Sequence, residues 1–430
     1  MMYALVDING AFVAMEMIFR PADRNKPAVV LSNGDGCIIA ANKIAKNLPG
    51  FEMYAPAFQM DEILNRYNVL RFSPNFELYV DISRRFIKEL SHFSDRVEMY
   101  SIDEAFLDLN IKDIDLTAYG QNMRCTLLKN LDLPVGIGIA PTKALCKVAS
   151  KIAKKFIDRT NGVYAIDTEE KRIKALKWLK IGDVWGIGRQ HANRLINVNV
   201  KNAYEFTQLP DSWVRKHMSV VGLRLKQELL GISCLDLNEV TEPKKEIGTA
   251  KAFGSMLSDY NLIREACSSY TEYCAGKLRR QKSVASAILI NVQTNSFRTQ
   301  DEQYFNHTIV TLPIPTNDSS ILIKHACDGL DRIFKNGLKY KRISVSLIGL
   351  FPDNNVQGNL FEQPNPKKPM LQKVIDKLNF KYEENTIRIA SCGFNRKHWE
   401  SKAEIRSPRY STRLLEILTL GEDALLKKVK

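Results

Sequence analysis

Two adjacent carboxylates, Asp103 and Glu104, stand in the run Ser101-Ile102-Asp103-Glu104-Ala105-Phe106-Leu107-Asp108, with apolar residues around them. Like charges a few ångströms apart raise each other's pKa, so the pair is costly unless it is solvated or neutralised. A cation resolves the conflict. Magnesium suits it, because it takes a few carboxylate oxygens and completes its octahedron with water and phosphate oxygens. Two such ions about 3.5–4 Å apart would activate a 3′-hydroxyl and stabilise a pyrophosphate leaving group in an in-line displacement. An isolated Asp-Glu is more often a solvent-facing turn, so the chemistry must be supported by what surrounds the pair.

The elements that would position it are readable from periodicity. Tyr3-Ala4-Leu5-Val6-Asp7-Ile8 is a short apolar run that breaks at Asn9-Gly10, which predicts a buried strand with Asp7 at its end. Residues 77–93 have helical periodicity, 97–102 and 104–109 read as two strands meeting near Asp103 and Glu104, and 117–130 is again helical. A strand at 134–139 and a basic helix at 142–155 follow. The order β, α, β, β, α, β is the split βαβ pattern, an antiparallel sheet with two helices on one face. In that topology the first strand lies beside the central hairpin, so Asp7 and Asp103 project from one sheet edge.

The segment 20–75 interrupts this unit and reads as a small inserted domain. Residues 166–235 read as short helices around Gly186-Ile187-Gly188, and the polar break Glu239–Lys245 as a linker. Between 246 and 350, strand-like runs at 286–294 and 342–350 alternate with helical ones at 261–280 and 319–335, predicting a second α+β domain. The tail, 351–430, opens on Asn, Gly and Pro and closes on a Leu-rich stretch, 412–428, with helical character.

At 430 residues, with 45% hydrophobic and 26% charged, the chain can bury cores in about three domains. No stretch approaches the roughly 18 apolar residues of a membrane span, and the N-terminus lacks the pattern of a secretion signal, so a cytoplasmic protein with no membrane partner is expected. The net charge of +14 is uneven: residues 1–240 carry 32 Lys and Arg against 28 Asp and Glu, and 241–430 carry 30 against 20. A basic half beside a nearly neutral one suits phosphate-backbone binding by the former and chemistry by the latter. The eight cysteines have no C-x-x-C spacing and the six histidines are dispersed, which leaves thiolate or imidazole metal sites and a Ser/His/Asp triad without support.

The motifs resemble those of the Y-family DNA polymerases, and within them the UmuC-like catalytic subunits of bacterial DNA polymerase V. Leu5-Val6-Asp7-Ile8-Asn9-Gly10-Ala11-Phe12 resembles the family's opening strand and helix, and Ser101-Ile102-Asp103-Glu104-Ala105-Phe106 matches its acidic core without a substitution. Arg20-Pro21, Lys26-Pro27, Val135–Lys143, Asp183–Gly188 and Ser407-Pro408-Arg409-Tyr410 extend the resemblance over nearly the whole chain. It implies a right-handed α+β polymerase: a ferredoxin-like palm at 1–19 and 76–165, fingers at 20–75, and a helical thumb at 166–240. A little-finger domain at 241–350 and a tail at 351–430 complete it.

It further implies that Asp7, Asp103 and Glu104 hold two Mg2+ ions, with the main-chain carbonyl of Ile8 as a further ligand. Phe12 takes the place of the steric gate under the sugar of the incoming dNTP, where the subgroup usually has Tyr; Ala11 stands where an aromatic neighbour is usual. Lys46 and Lys154 match positions that hold the triphosphate.

Asp183-Val184-Trp185-Gly186-Ile187-Gly188-Arg189 resembles a helix-hairpin-helix, whose main-chain N–H groups can approach a phosphate of primer-template DNA. Gln357-Gly358-Asn359-Leu360-Phe361 resembles the pentapeptide that docks bacterial polymerases on the β sliding clamp, with Gly358 for the usual Leu. A processed UmuD-like dimer, RecA and a nucleoid-associated place in the bacterial cytoplasm complete what the resemblance implies. The expected activity is error-prone translesion synthesis. A nucleotide cyclase would share the palm and the two metals, but the helix-hairpin-helix and the basic second domain count against it. A non-catalytic DNA-binding subunit is opposed by the intact acidic residues.

Overall fold

The structure, a computed structural model, describes residues 2–109, 114–238, 242–354, 356–358, 367–382, 386–394 and 399–418. It divides into two compact units. One comprises Met1–Ser32, Gly36–Thr241 and Ile405–Lys430, and the other Asn33–Asp35 and Glu242–Glu404.

The first unit opens with β1 (Tyr3–Ile8), α1 (Ala11–Met17), β2 (Ala28–Leu31), β3 (Ile38–Ala41), α2 (Lys43–Lys46), α3 (Ala57–Arg66) and β4 (Leu70–Phe72). It continues through α4 (Phe76–Leu90), β5 (Val97–Met99), β6 (Glu104–Asp108), α5 (Leu116–Leu131), β7 (Val135–Ala140), α6 (Lys143–Lys155), α7 (Ile157–Thr160) and β8 (Val163–Ala165). Helices α8 (Glu169–Trp178), α9 (Arg189–Asn197), α10 (Ala203–Thr207) and α11 (Asp211–Leu229) follow, the last interrupted at Ser219. The predicted βαββαβ order is present, and the central sheet runs β5-β6-β1-β7-β8. It is mixed rather than purely antiparallel, because β8 joins the edge parallel to β7.

Alternation along β1 decides what each face meets. Ala4, Val6 and Ile8 pack with Phe86 of α4 and Leu127 of α5, while Tyr3 and Leu5 pack with Phe106 and Leu145 against α6. Asp7 shares the parity of Tyr3 and Leu5, and Glu104 that of Phe106, so both carboxylates belong to the α6 face. Helix α6 lies unusually close to β7 there. A Cβ at Gly138 would stand 2.2 Å from the Ser150 nitrogen and 2.3 Å from the Cys146 oxygen, and one at Gly136 2.8 Å from Cγ of Lys154. The two glycines therefore let the stem of Lys154 cross the strand toward Asp7.

The inserted segment has its own sheet, β3-β2-β4, with β2 and β4 parallel, and a small core that includes Val29, Ile38 and Leu64.

The second unit contains β9 (Ile247–Leu257), α12 (Tyr260–Arg280), β10 (Ser283–Thr294), β11 (Phe305–Thr316), α13 (Ser319–Ile333), β12 (Tyr340–Pro352) and α14 (Lys367–Tyr382). Its antiparallel sheet, β11-β10-β12-β9, shares one core with α12 and α13. The central strands β10 and β12 are the two the sequence predicts, whereas both edge strands escape it. Strand β11 carries Pro313 and Pro315, which only an edge tolerates, and β9 runs unbroken through Gly248 and Gly254, which weaken its strand pattern in the sequence. Helix α14 is likewise unpredicted. The expected helix at 412–428 is not formed in its described part, where Leu414–Glu416 makes a single 3-10 turn; residues 419–428 lie outside the described residues. Leu414 and Leu415 are exposed there and meet no apolar face among the described residues.

Candidate active site

The register of β1 on β6 sets Asp7 directly opposite Glu104, and the Ile8 N–H donates to the Asp103 carbonyl at 2.9 Å. Strand β1 thus ends with all three acidic residues at one end of the sheet. Their side chains take different partners. Asp7 pairs with Lys154, and Glu104 accepts from Lys147 Nζ at 2.6 Å. The Asp103 carboxylate turns instead to the Ser101 hydroxyl, which donates to it at 2.5 Å. Among the described residues no three His, Cys, Asp or Glu side chains stand as a preformed metal cluster. What is preformed is a two-carboxylate core with two lysines as its counter-charges.

Burial pushes the Asp7 carboxyl up to about 7; Lys154 opposes the rise and the neighbouring Glu104 adds to it. The lysines come from one helical face: Lys143, Lys147, Lys151 and Lys154 of α6 pair with Glu98, Glu104, Asp183 and Asp7 in turn. Only Lys154 of the four is singled out by sequence reasoning, although spacings of four, four and three place them on a single stripe. Lys147 also lies over the Tyr100 ring at 4.5 Å, and the Tyr100 hydroxyl accepts from Trp185 Nε1 at 3.1 Å.

Lys46 and Lys154 line one cleft of about 680 Å³, together with Asn9, Gly10, Arg24 and Lys43. Phe12 is half-buried and lies flat on Tyr79, with ring centroids 4.8 Å apart and planes 14° from parallel; Phe76 meets it edge-on at 5.8 Å.

In the proposed helix-hairpin-helix, Gly186 takes φ +86°, which requires glycine. Gly188 does not: it begins α9 at φ −77°, and a Cβ there would meet nothing within 4 Å. Internal packing gives no reason for a glycine at 188. Arg189 follows at the exposed start of α9. Gln357 and Gly358 are exposed and without regular structure, while Leu360 and Phe361 lie outside the described residues.

Comparison with known proteins divides the chain differently, since one match crosses from the second unit into the returning part of the first. Residues 6–151 match the impB/mucB/samB family, 244–360 its C-terminal domain, and 369–420 a domain of unknown function, DUF4113. Protein UmuC of Salmonella typhimurium is 38% identical over 421 residues, 97% of this chain and 99% of that protein. DNA polymerase IV 1 of Bacillus subtilis is 26% identical, covering 89% of this chain and 91% of its own. Among solved structures, the Y-family DNA polymerase chimera Dbh-Dpo4(243-245)-Dbh shares the fold at a TM-score of 0.65 and 20% identity, over 82% of this chain and 100% of that one. Acidic sheet end, family match and near full-length identity agree: the chain belongs to the impB/mucB/samB family, as a UmuC-like Y-family DNA polymerase.

Proposed function

We propose that this chain is a template-directed DNA polymerase that extends primers opposite damaged template bases in the SOS response. The observation that carries this reading is the Asp7–Glu104 pair at one sheet end, neutralised by lysines of α6 and beside a basic cleft. The donor set fits a hard divalent cation. It consists of carboxylate and main-chain oxygens, and a cation would reverse the rise that burial imposes on Asp7.

Asp7, Asp103 and Glu104 would hold the two Mg2+ ions with the carbonyl of Ile8, Asp103 turning from Ser101 to join them. When bound, the ions make a 3′-hydroxyl nucleophilic at neutral pH and balance the charge of the leaving pyrophosphate. The chain's own side chains do the rest. Lys46 and Lys154 bind the triphosphate, with Lys154 exchanging its partner Asp7 for phosphate oxygens. Phe12 lies beneath the sugar and leaves no space for a 2′-hydroxyl.

The main-chain N–H groups at Gly186 and Gly188, with Arg189, grip a DNA phosphate without reading sequence, as a polymerase requires. Gly188 supports this role, since an absent Cβ clears the approach. The palm then comprises 1–19 and 76–165, the fingers 20–75, the thumb 166–240 and the little finger 241–350. In the tail, 351–430, Gln357, Leu360 and Phe361 dock on the β sliding clamp, and a processed UmuD-like dimer and RecA are the further partners.

Primer extension on damaged and undamaged templates tests the reading. Asp103→Asn removes a ligand charge and keeps the shape, so extension falls by orders of magnitude while primer-template affinity is kept or rises. Wild-type extension by that variant overturns the metal assignment.

A further inference from the structure

The side chain on which Phe12 rests is held from behind by the end of the chain. The Tyr79 hydroxyl donates to Glu16 Oε1 at 2.7 Å, and the Ser407 hydroxyl donates to the same oxygen at 3.0 Å. Glu16 has no exposed surface, and burial raises its carboxyl while the two hydroxyls oppose the rise. Asn75 Nδ2 reaches the Ser407 carbonyl at 3.1 Å, the Ser407 hydroxyl at 3.0 Å and the Pro408 carbonyl at 3.2 Å. Ser73 and Ile405 are joined by two hydrogen bonds of 3.1 Å, and Tyr410 stacks on Phe19 at 4.6 Å. Arg409 pairs with Glu77 at 3.1 Å.

The contacts of Glu16, Asn75, Tyr79 and Glu77 fall on α1 and on α4 with its cap, the two helices that carry the gate. Phe12 and Glu16 are one turn apart on α1, and Tyr79 is one turn into α4 from its capping residue Asn75. Ser407 therefore meets the acceptor that fixes Tyr79 and the cap that fixes the start of Tyr79's helix. Residues 405–410 come from the stretch matched only to a domain of unknown function, yet they belong to the first compact unit.

We propose that the segment Ile405–Tyr410 is a buttress for the steric gate, with Ser407 acting through Glu16 and Tyr79 as a positioning residue for sugar selection between deoxyribonucleoside and ribonucleoside triphosphates. The inference rests on the reading of Phe12 as the gate. Excluding a 2′-oxygen requires a ring that cannot retreat by about an ångström, and close packing denies retreat only while the ring behind is fixed. Tyr79 is fixed by a hydrogen bond to a buried carboxylate, and Ser407 supplies that carboxylate's other donor. A carboxylate that loses it can shift, and the Tyr79 ring with it.

The test is single-nucleotide insertion by the full-length protein on an undamaged primer-template, measuring kcat/KM for a dNTP and for its rNTP. Ser407→Ala should leave dNTP use within about twofold and raise rNTP use about tenfold, the scale of one hydrogen bond to a charged group. Ser407→Thr, which keeps the hydroxyl, should restore selectivity, and Tyr79→Phe should lower it as Ser407→Ala does. In a Phe12→Ala background Ser407→Ala should add nothing, because both act on one ring.

If Phe12→Ala leaves the dNTP-to-rNTP ratio unchanged, the gate reading fails. If Phe12→Ala relaxes the ratio but Ser407→Ala and Tyr79→Phe do not, the gate stands and the buttress is overturned. Parallel loss of dNTP and rNTP use in Ser407→Ala, or additivity with Phe12→Ala, also overturns it. Should Ser407→Ala fail to fold, Tyr79→Phe decides between the two on the same ratio: a lowered ratio supports the buttress and an unchanged one overturns it.

Discussion

Replacing Lys147 by Met tests whether the lysines of α6 stand in for a cation. Lys147 Nζ lies 2.6 Å from Glu104 Oε2, and the two side chains retain 17% and 18% of their exposure. Breaking a fully buried pair costs about 3–5 kcal/mol, and breaking an exposed one about 0–1 kcal/mol. This pair is mostly buried but still reaches water, so its loss should cost about 2 kcal/mol. Losing the contact of Lys147 with the Tyr100 ring adds about 0.5 kcal/mol. At roughly 2–4 °C per kcal/mol for a unit of this size, the melting temperature in EDTA should fall by roughly 5–10 °C.

Magnesium should then rescue the variant, because Glu104, which has lost Lys147, regains a counter-charge while Asp7 keeps Lys154. A ligand at a hundred times its dissociation constant contributes about 2.7 kcal/mol. The variant has no lysine competing for Glu104, so it should gain more than wild type does, and the gap between the two should narrow to less than half. Thermal unfolding of the full-length protein with EDTA and with Mg2+, in the absence of nucleotide, reads both numbers. A deficit of equal size in the two conditions refutes the idea that cation and lysine share one site, and no deficit in EDTA refutes the energetic role of the pair.

Two further outcomes follow from other parts of the molecule. Gly138→Ala forces a Cβ into main-chain atoms 2.2 and 2.3 Å away that cannot rotate aside, so it should destabilise the first unit by about 3 kcal/mol, measured by urea unfolding, whereas Gly188→Ala should be near neutral. Leu360→Ala with Phe361→Ala should abolish stimulation by the sliding clamp and leave unstimulated extension on a short primer intact, since a few apolar anchors carry most of the affinity of such a peptide. Equal clamp affinity for wild type and the double variant, measured by titration, would refute that assignment.

The acidic end of the sheet was legible because strand parity is a strict code. The apolar run Tyr3–Val6 fixes β1, its end fixes Asp7, and the hairpin around Asp103 and Glu104 can only lie beside it. The lysines that complete the site were not singled out, apart from Lys154, since a lysine-rich helix is ordinarily a solvated face and only its glycine-floored packing on β7 makes it otherwise. Central strands β10 and β12 announce themselves by long apolar runs whose every second residue is buried over most of their length. Edge strands β9 and β11 do not, because their outer residues answer to water rather than to a neighbour. The hydrogen bond from Ser407 to Glu16 spans 391 residues, and no local pattern encodes a contact at that range. The resemblance marked Ser407–Tyr410 as a motif, but its role needed the fold.

The return of residues 405–410 to the first unit also sets a clock on the protein's birth. The second unit is threaded into the first as an insertion, so the residues that complete the gate's support are translated only after all of Glu242–Glu404 has been made. At roughly 5–20 residues per second, the roughly 170 residues from the linker to Tyr410 impose a wait of roughly 10 to 30 s on the ribosome. Throughout that wait Glu16 lacks the Ser407 hydroxyl and Asn75 lacks its carbonyl acceptors. If Phe12 is the gate and Ser407 its brace, a nascent or prematurely terminated chain contains Asp7, Asp103 and Glu104 before its sugar gate is braced, and full selectivity would arise only once the chain has been translated past Tyr410.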